Sequence, residues 1–192
     1  FAVTTADVTV TNPGTLSFSS DVTVQLAKGM NFAASGISTI NGTLEIVSGG
    51  FVSANPPTYA AGSTLKYNSG GNYTAGSEWT SNLASGVGVP HHVQVASGTT
   101  LLFGFSTQYR RMLGNLDLPG SFALSNVAGG DLKIAGNWTR TTGTFFPNLR
   151  AVFFDGSSGN QTLSATGGQF FHYLVIDKSS GTLILADDII VD

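Results

Sequence analysis

Four groups of residues in this chain have the types that chemistry needs. His91-His92 could shuttle a proton or bind a metal, and Asp187-Asp188 could supply paired carboxylates or calcium ligands. Arg110-Arg111, the one basic doublet, could contact an acidic sugar. The stretch Asp155-Gly156-Ser157-Ser158-Gly159-Asn160 has the outline of a calcium loop. Each meets an objection within the sequence. Adjacent side chains on a strand point to opposite faces, which is poor geometry for one metal held by two histidines. The loop offers one carboxylate where a tight calcium site wants several charged oxygens. Where the chain repeats itself, Asp187-Asp188 is replaced by Ser20-Asp21 and Phe105-Ser106, so a turn-capping role is predicted. The same comparison sets Phe171-His172-Tyr173 against His91-His92, which makes that place architectural. Arg110-Arg111 reads as a surface pair.

Other candidates fare no better. Hydrolases and lyases built on stacked strands cluster Asp, Lys or Arg on one face, whereas Asp117, Asp131 and Asp177 are dispersed. G-x-S-x-G and glycine-rich phosphate loops are missing. Trp79 and Trp138 could stack on sugars, although Trp138, within Gly136-Asn137-Trp138-Thr139 of a repeat, reads as a packed residue, and the N-x-[ST] triplets at Asn41, Asn72, Asn137 and Asn160 are expected by chance in a Thr/Asn-rich chain. No catalytic, cofactor-binding or metal-ligating residue is assigned, and no cofactor is expected.

The elements that must carry these groups are strands. Charged residues make up 10% of the 192 residues, far below the usual share of roughly 25%, while hydrophobic residues are 41% and glycines number 25. No window sustains a helical apolar period. Short Val/Ile/Leu/Phe/Thr runs alternate with Gly/Asn/Ser/Asp clusters, which predicts an all-β chain. The net charge is −3, without the basic stripe of a nucleic-acid binder, and no apolar run approaches the length of a membrane helix. Cysteine is absent, which excludes disulfides and thiolate metal sites. The chain opens on Phe1 and stops at Asp192, as a piece of a longer protein would.

These strands repeat. Gly14 to Val24 matches Gly181 to Val191 in the pattern G-T-L-x-apolar-x-x-D-[VI]-x-V. Anchors at Val8, Val93 and Leu174 define long repeats over about 8–92 and 93–173, with a third beginning at 174. Gly42-Thr43-Leu44-Glu45-Ile46 aligns with Gly130-Asp131-Leu132-Lys133-Ile134, Thr64 to Asn68 with Val152 to Asp155, and Asn72 with Asn160. Within each repeat, Gly-x-apolar turns recur near every twenty residues. Units of that size predict one parallel β-helix (β-solenoid) over 1–192, with about four rungs per long repeat and eight or nine in all. A string of small β-sandwiches is the alternative. Gly49-Gly50, Gly70-Gly71, Gly129-Gly130 and Gly167-Gly168 are expected at corners, Pro56-Pro57 and Ser81 to Pro90 as bulging loops. Phe103, Phe105, Phe145, Phe146, Phe153, Phe154, Phe170 and Phe171 are expected in or against the core.

The segments Gly129 to Leu163 and Phe170 to Val191 resemble a known family. Their G-D-L-x-I-x-G-N-W-T run, their apolar-aromatic-D-G run followed by N-Q-T, and their F-x-Y-L-x-I run are similar to repeats of very large secreted or cell-surface proteins of Bacteroidota, commonly exported by type IX secretion. The resemblance implies an extracellular, adhesin-like β-solenoid stalk; the sorting domain typical of such substrates is not in this sequence. Together these observations predict a structural or adhesive segment without catalysis, with a carbohydrate-binding or polysaccharide-degrading β-helix module as the alternative. The expected partners are the remainder of its own longer chain and an extracellular glycan or surface, with neither nucleic acid nor membrane insertion. A flat threonine face for ice or another regular surface is a weaker idea, because the threonines keep no single spacing.

Overall fold

A computed structural model describes residues 1–11, 14–32 and 37–192. Among them it contains twenty-five strands and no helix. Every ladder between these strands is parallel, so the chain is the predicted β-solenoid.

The first position of each coil forms one continuous nine-stranded face. Its strands are Ala2–Val3, Thr23–Leu26, Thr43–Val47, Thr64–Asn68, His92–Val95, Leu116–Leu118, Trp138–Arg140, Gln161–Ala165 and Leu183–Leu185. These strands count eight full coils and the start of a ninth. The register partners Gln25, Glu45 and Lys66 lie 45 − 25 = 20 and 66 − 45 = 21 residues apart, whereas Lys66 and Gln94 are 94 − 66 = 28 apart. The longer coil is where the architecture changes.

The second and third positions each run as separate sheets. Coils one to three carry Val8–Thr9, Gly29–Asn31 and Phe51–Ala54 in second position, and Leu16–Phe18, Ser38–Ile40 and Thr58–Tyr59 in third. From coil four the second position is taken by Asn72–Thr74, Thr100–Leu102, Ser121–Ala123 and Phe145–Phe146, then by Gln169–Phe171 and Ile189–Val191. The third position resumes in coil five with Arg110–Met112, Leu132–Ile134, Ala151–Phe154 and Tyr173–Ile176. Coil four has no third strand; residues 75–91 leave the coil there as an excursion.

Strand alternation sorts side chains between core and surface. Leu44, Leu65, Val93, Leu116, Trp138 and Leu163 stack in one inward column, all at most 1% exposed. Leu132 and Ile134 point inward and are fully buried. The aromatic prediction divides by the same rule. Phe103, Phe145, Phe154 and Phe171 are buried, but Phe105, Phe146 and Phe170 are exposed and Phe153 lies on the outer surface. Inside, Phe122 packs edge-on to Phe103 at 4.9 Å and Trp138 to Phe145 of its own coil at 4.8 Å, while Phe122–Phe145 and Trp138–Phe171 contacts carry the aromatic spine between coils.

Corners fall at the expected glycine pairs. Gly49 has φ +82°, and a Cβ on Gly50 would sit 1.9 Å from the Leu26 carbonyl oxygen of the coil before. Asn55, Asn82 and Asn148 also adopt positive φ, as asparagine tolerates. The asparagines of the N-x-[ST] triplets largely tie coils together. Asn137 Oδ1 accepts from the Thr162 amide, Asn160 Oδ1 from the Thr182 amide, and Asn41 Nδ2 donates to the Phe18 carbonyl.

The long sequence repeat is not a whole number of coils. Val8 is in second position of coil one, Val93 in first position of coil five and Leu174 in third position of coil eight. With three positions per coil these are positions 2, 13 and 24, a step of eleven. Leu44 and Leu132 differ by the same step, from position 7 to position 18. Each long repeat therefore spans three and two-thirds coils, not four, and successive copies of one motif land on different faces.

Candidate functional site

Around the excursion the structure gathers most of the unusual chemistry. Trp79 fills the interior that the missing third strand would have occupied. Its ring meets Phe103 edge-on at 5.3 Å, and its Nε1 donates to the Arg111 carbonyl at 2.8 Å. Asn82 N donates to the Tyr109 carbonyl, and an isolated antiparallel bridge joins Ser81 to Arg110. The excursion thus covers the edge of the Arg110–Met112 strand, where an open edge would invite foreign pairing. Ser81 to Pro90 bulges as predicted, but the departure starts at Ala75 and includes buried Trp79 and Val89.

Beneath it lies a polar knot. Glu78 is fully buried; its Oε1 accepts from the Gly76 amide at 2.8 Å and from Tyr67 Oη at 3.1 Å, while Oε2 has no partner among the described residues. Tyr59 Oη donates to the Glu78 carbonyl at 2.9 Å. Burial pushes the Glu78 carboxyl above its ordinary range, although its hydrogen bonds and the charge of Arg110 pull the other way. Burial and this carboxylate together raise Tyr59, Tyr67 and Tyr73. Arg110 points inward and caps carbonyls of the excursion, donating to Ala75 O at 3.0 Å and Gly76 O at 3.3 Å, with its guanidinium 5.5 Å from the Phe103 ring centre.

The surface reading of Arg110 is therefore corrected. Comparing Thr23 to Leu26 with Gln108 to Arg111 would place Tyr109 and Arg111 inward, as Val24 and Leu26 are. The structure instead buries Arg110 and Met112, a slip of one residue that turns each side chain to the opposite face. Arg111 does point outward. Its Nε lies 2.9 Å from Asp155 Oδ2, and its Nη1 donates to the Ala84 carbonyl of the excursion at 2.8 Å.

Arg111 sits in a groove of about 310 Å³ on the outer side of the third-position sheet, with Ala84, Tyr109, Lys133, Asp155, Asp177 and Ser179 as its other lining residues. Register explains the gathering. Arg111 stacks on Lys133, which stacks on Phe153. Asp155 and Asp177 follow the paired residues Phe154 and Ile176, so their backbones sit one coil apart, about 4.8 Å. The Lys133 ammonium lies 4.7 Å from the Tyr109 ring centre and 5.3 Å from that of Phe153, with no carboxylate in ion-pair range among the described residues. Asp155 Oδ1 is buried without a hydrogen-bond partner among the described residues.

This cluster was not visible as separate aspartates. Asp117 accepts from Gln94 Nε2 on the first face, and Asp131 Oδ1 accepts from the Ala151 amide. Only Asp177 of the three reaches the groove. The signal that would have found it is the 177 − 155 = 22 residue separation of two apolar-aspartate endings, one coil's length. Glu78 gave no comparable signal.

The remaining candidates are accounted for by packing. Asp187 Oδ2 accepts from the Ala165 amide and Ser164 Oγ of the coil before, so it ties two coils together and does not cap its own turn. His91 and His92 do not diverge as two successive strand residues would. The strand begins at His92, and the rings meet edge-on at 4.4 Å. His92 Nδ1 accepts from the Asn115 amide, and burial lowers both histidines below their ordinary range. Among the described residues no group of three or more His, Asp or Glu is placed to hold a metal ion. Thr23, Thr43 and Thr64 stand in rank on the first face, but the next coil continues that rank with His92.

No known family model, curated protein or solved structure matches the chain.

Proposed function

We propose that this chain is a structural and adhesive stalk segment of a secreted or cell-surface protein and that it carries out no catalysis. The observation that supports the reading is the unbroken nine-stranded first face. Eight parallel ladders at about 4.8 Å each extend the face through roughly 38 Å of rise. Ladder polar contacts reinforce it, including Gln25 Nε2 to Glu45 Oε2 at 2.8 Å and Lys66 Nζ to Glu45 Oε1 at 3.0 Å. Burial alone would raise the Glu45 carboxyl; the bonds from Gln25, Lys66 and Asn68 outweigh it and leave the group below its ordinary range. Such a rod supplies reach and stiffness.

The partner along the axis, in this reading, is more of the same protein. Leu185 and Val191 belong to inward columns, continuing Leu163 and Phe171, and each is 52% exposed. A further coil would bury them. Export by type IX secretion in a Bacteroidota cell is the route that the repeat resemblance suggests. The test is surface shaving. Protease added to intact cells that make the protein should remove it while cytoplasmic markers survive; protection until the cells are lysed would overturn the surface assignment.

A further inference from the structure

We propose that the groove between the excursion and the third-position sheet binds the hydroxyl face of a neutral glycan, which names the ligand of the adhesive surface and rests on that reading. The groove mixes signs at close quarters. Arg111 and Lys133 supply cations and Asp155 and Asp177 supply anions. A simple anion would meet both carboxylates, and a divalent cation would meet both positive groups, so neither satisfies the lining. A sugar hydroxyl donates and accepts at once and can serve both kinds of partner.

Vacant hydrogen-bonding capacity points the same way. The Asp177 carboxylate stands exposed in the groove with no side-chain partner among the described residues, and Arg111 holds the Asp155 carboxylate, one coil away, in an ion pair. That ion pair fixes the carboxylate in place before any ligand arrives. The Lys133 ammonium faces the rings of Tyr109 and Phe153, which orient it without consuming its three N–H donors on a carboxylate. Tyr109 also gives the groove an aromatic wall against which the apolar face of a sugar ring can pack.

The experiment is affinity electrophoresis of the folded chain in native gels containing arabinoxylan, galactomannan or hydroxyethylcellulose, with polygalacturonate and heparin gels alongside. Retardation is expected in at least one neutral gel and should persist in EDTA. Lys133→Ala and Asp177→Ala should each weaken it about tenfold or more, the loss that follows from one charged hydrogen bond. Gln94→Ala, on the first face, should leave it unchanged. Circular dichroism melting would establish that the outward-facing variants stay folded. The proposal is overturned by no retardation in any neutral gel, by retardation confined to the acidic gels, by loss of retardation in EDTA, or by groove variants that bind as the parent does. None of these results would move the protein off the cell surface in the shaving assay, so the stalk reading stands or falls separately.

Discussion

Arg110 and Arg111 leave one strand in opposite directions. Arg110, on the third strand of coil five, enters the interior toward the excursion of coil four, where it meets carbonyls of Ala75 and Gly76 and the charge of Glu78. Arg111 enters the groove outside, where it meets Asp155 and the Ala84 carbonyl. The inner group is desolvated, and burial lowers its pKa from the ordinary arginine range, although Tyr67 and Glu78 oppose this. The outer group keeps contact with water. A coil with a missing strand can thus be closed by polar groups, provided that a guanidinium satisfies carbonyls of the segment that replaces the strand. Arg140 repeats the device at another inward register, donating to carbonyls of Gly143, Thr166 and Gly168.

The hardest break of this comparison is a charge placed in the same inward column without such partners. Leu132 stacks directly on Arg110, one coil further on, and is fully buried. Leu132→Asp is expected to abolish cooperative folding, since an isolated buried carboxylate costs many kcal/mol. Far-ultraviolet circular dichroism would read the loss. A variant that melts like the parent would show that the column is not dry.

Arg110→Met comes next. It keeps a long apolar stem but leaves two carbonyls without donors and Glu78 without its countercharge. A loss of about 3 kcal/mol is expected from urea unfolding. Adding Glu78→Gln should recover part of it, because the buried negative charge is then gone. Failure of the second change to help would mean that the two groups do not act as a pair.

Glu78 offers a pH test on the inner side alone. Its carboxyl is raised in the folded state, so its stabilising contribution is full below the ordinary value of 4.5 and is lost as pH rises through the raised value. His91 and His92, lowered from 6.5, act in the opposite sense, losing stability as pH falls. Both effects are present in the parent, whereas Glu78→Gln keeps only the histidine part. The melting temperature of the parent minus that of the variant should therefore increase as the pH is lowered toward 4.5, by about 2–4 °C for each kcal/mol involved. A difference that stays flat would show that Glu78 does not titrate in this window.

Much of this architecture is legible in the residues. Short β-branched runs between Gly, Asn and Asp corners determine parallel coils because each coil can bury its apolar side only by stacking. Alternation in Leu132-Lys133-Ile134 sets Leu132 and Ile134 on one face, and both are buried. What was not legible depended on register. Arg110 exchanged surface for core through a one-residue slip, and Asp155 met Asp177 through a 22-residue coil that the longer repeat conceals. The long repeat, eleven strand positions, matches residues that lie on different faces, so equivalence in sequence did not carry equivalence in surroundings. Glu78 and Trp79 belong to the excursion that stands in place of a strand, and no periodic argument reaches them.

Arg111→Met, the same substitution one residue later, should have the smallest effect. It removes an ion pair whose side chains are 21% and 12% exposed and one hydrogen bond to Ala84. The Arg111 backbone carbonyl still receives Trp79 Nε1, so the plug that closes coil four is untouched. A loss of about 1 kcal/mol is expected in urea unfolding. Faster amide exchange should be confined to the excursion near Ala84. Asp155→Asn in the same background should add little, since its partner is already absent, and a double-mutant cycle would read that coupling directly. If Arg111→Met instead cost as much as Arg110→Met, the division between an inner arginine that closes the fold and an outer one that shapes the groove would be lost.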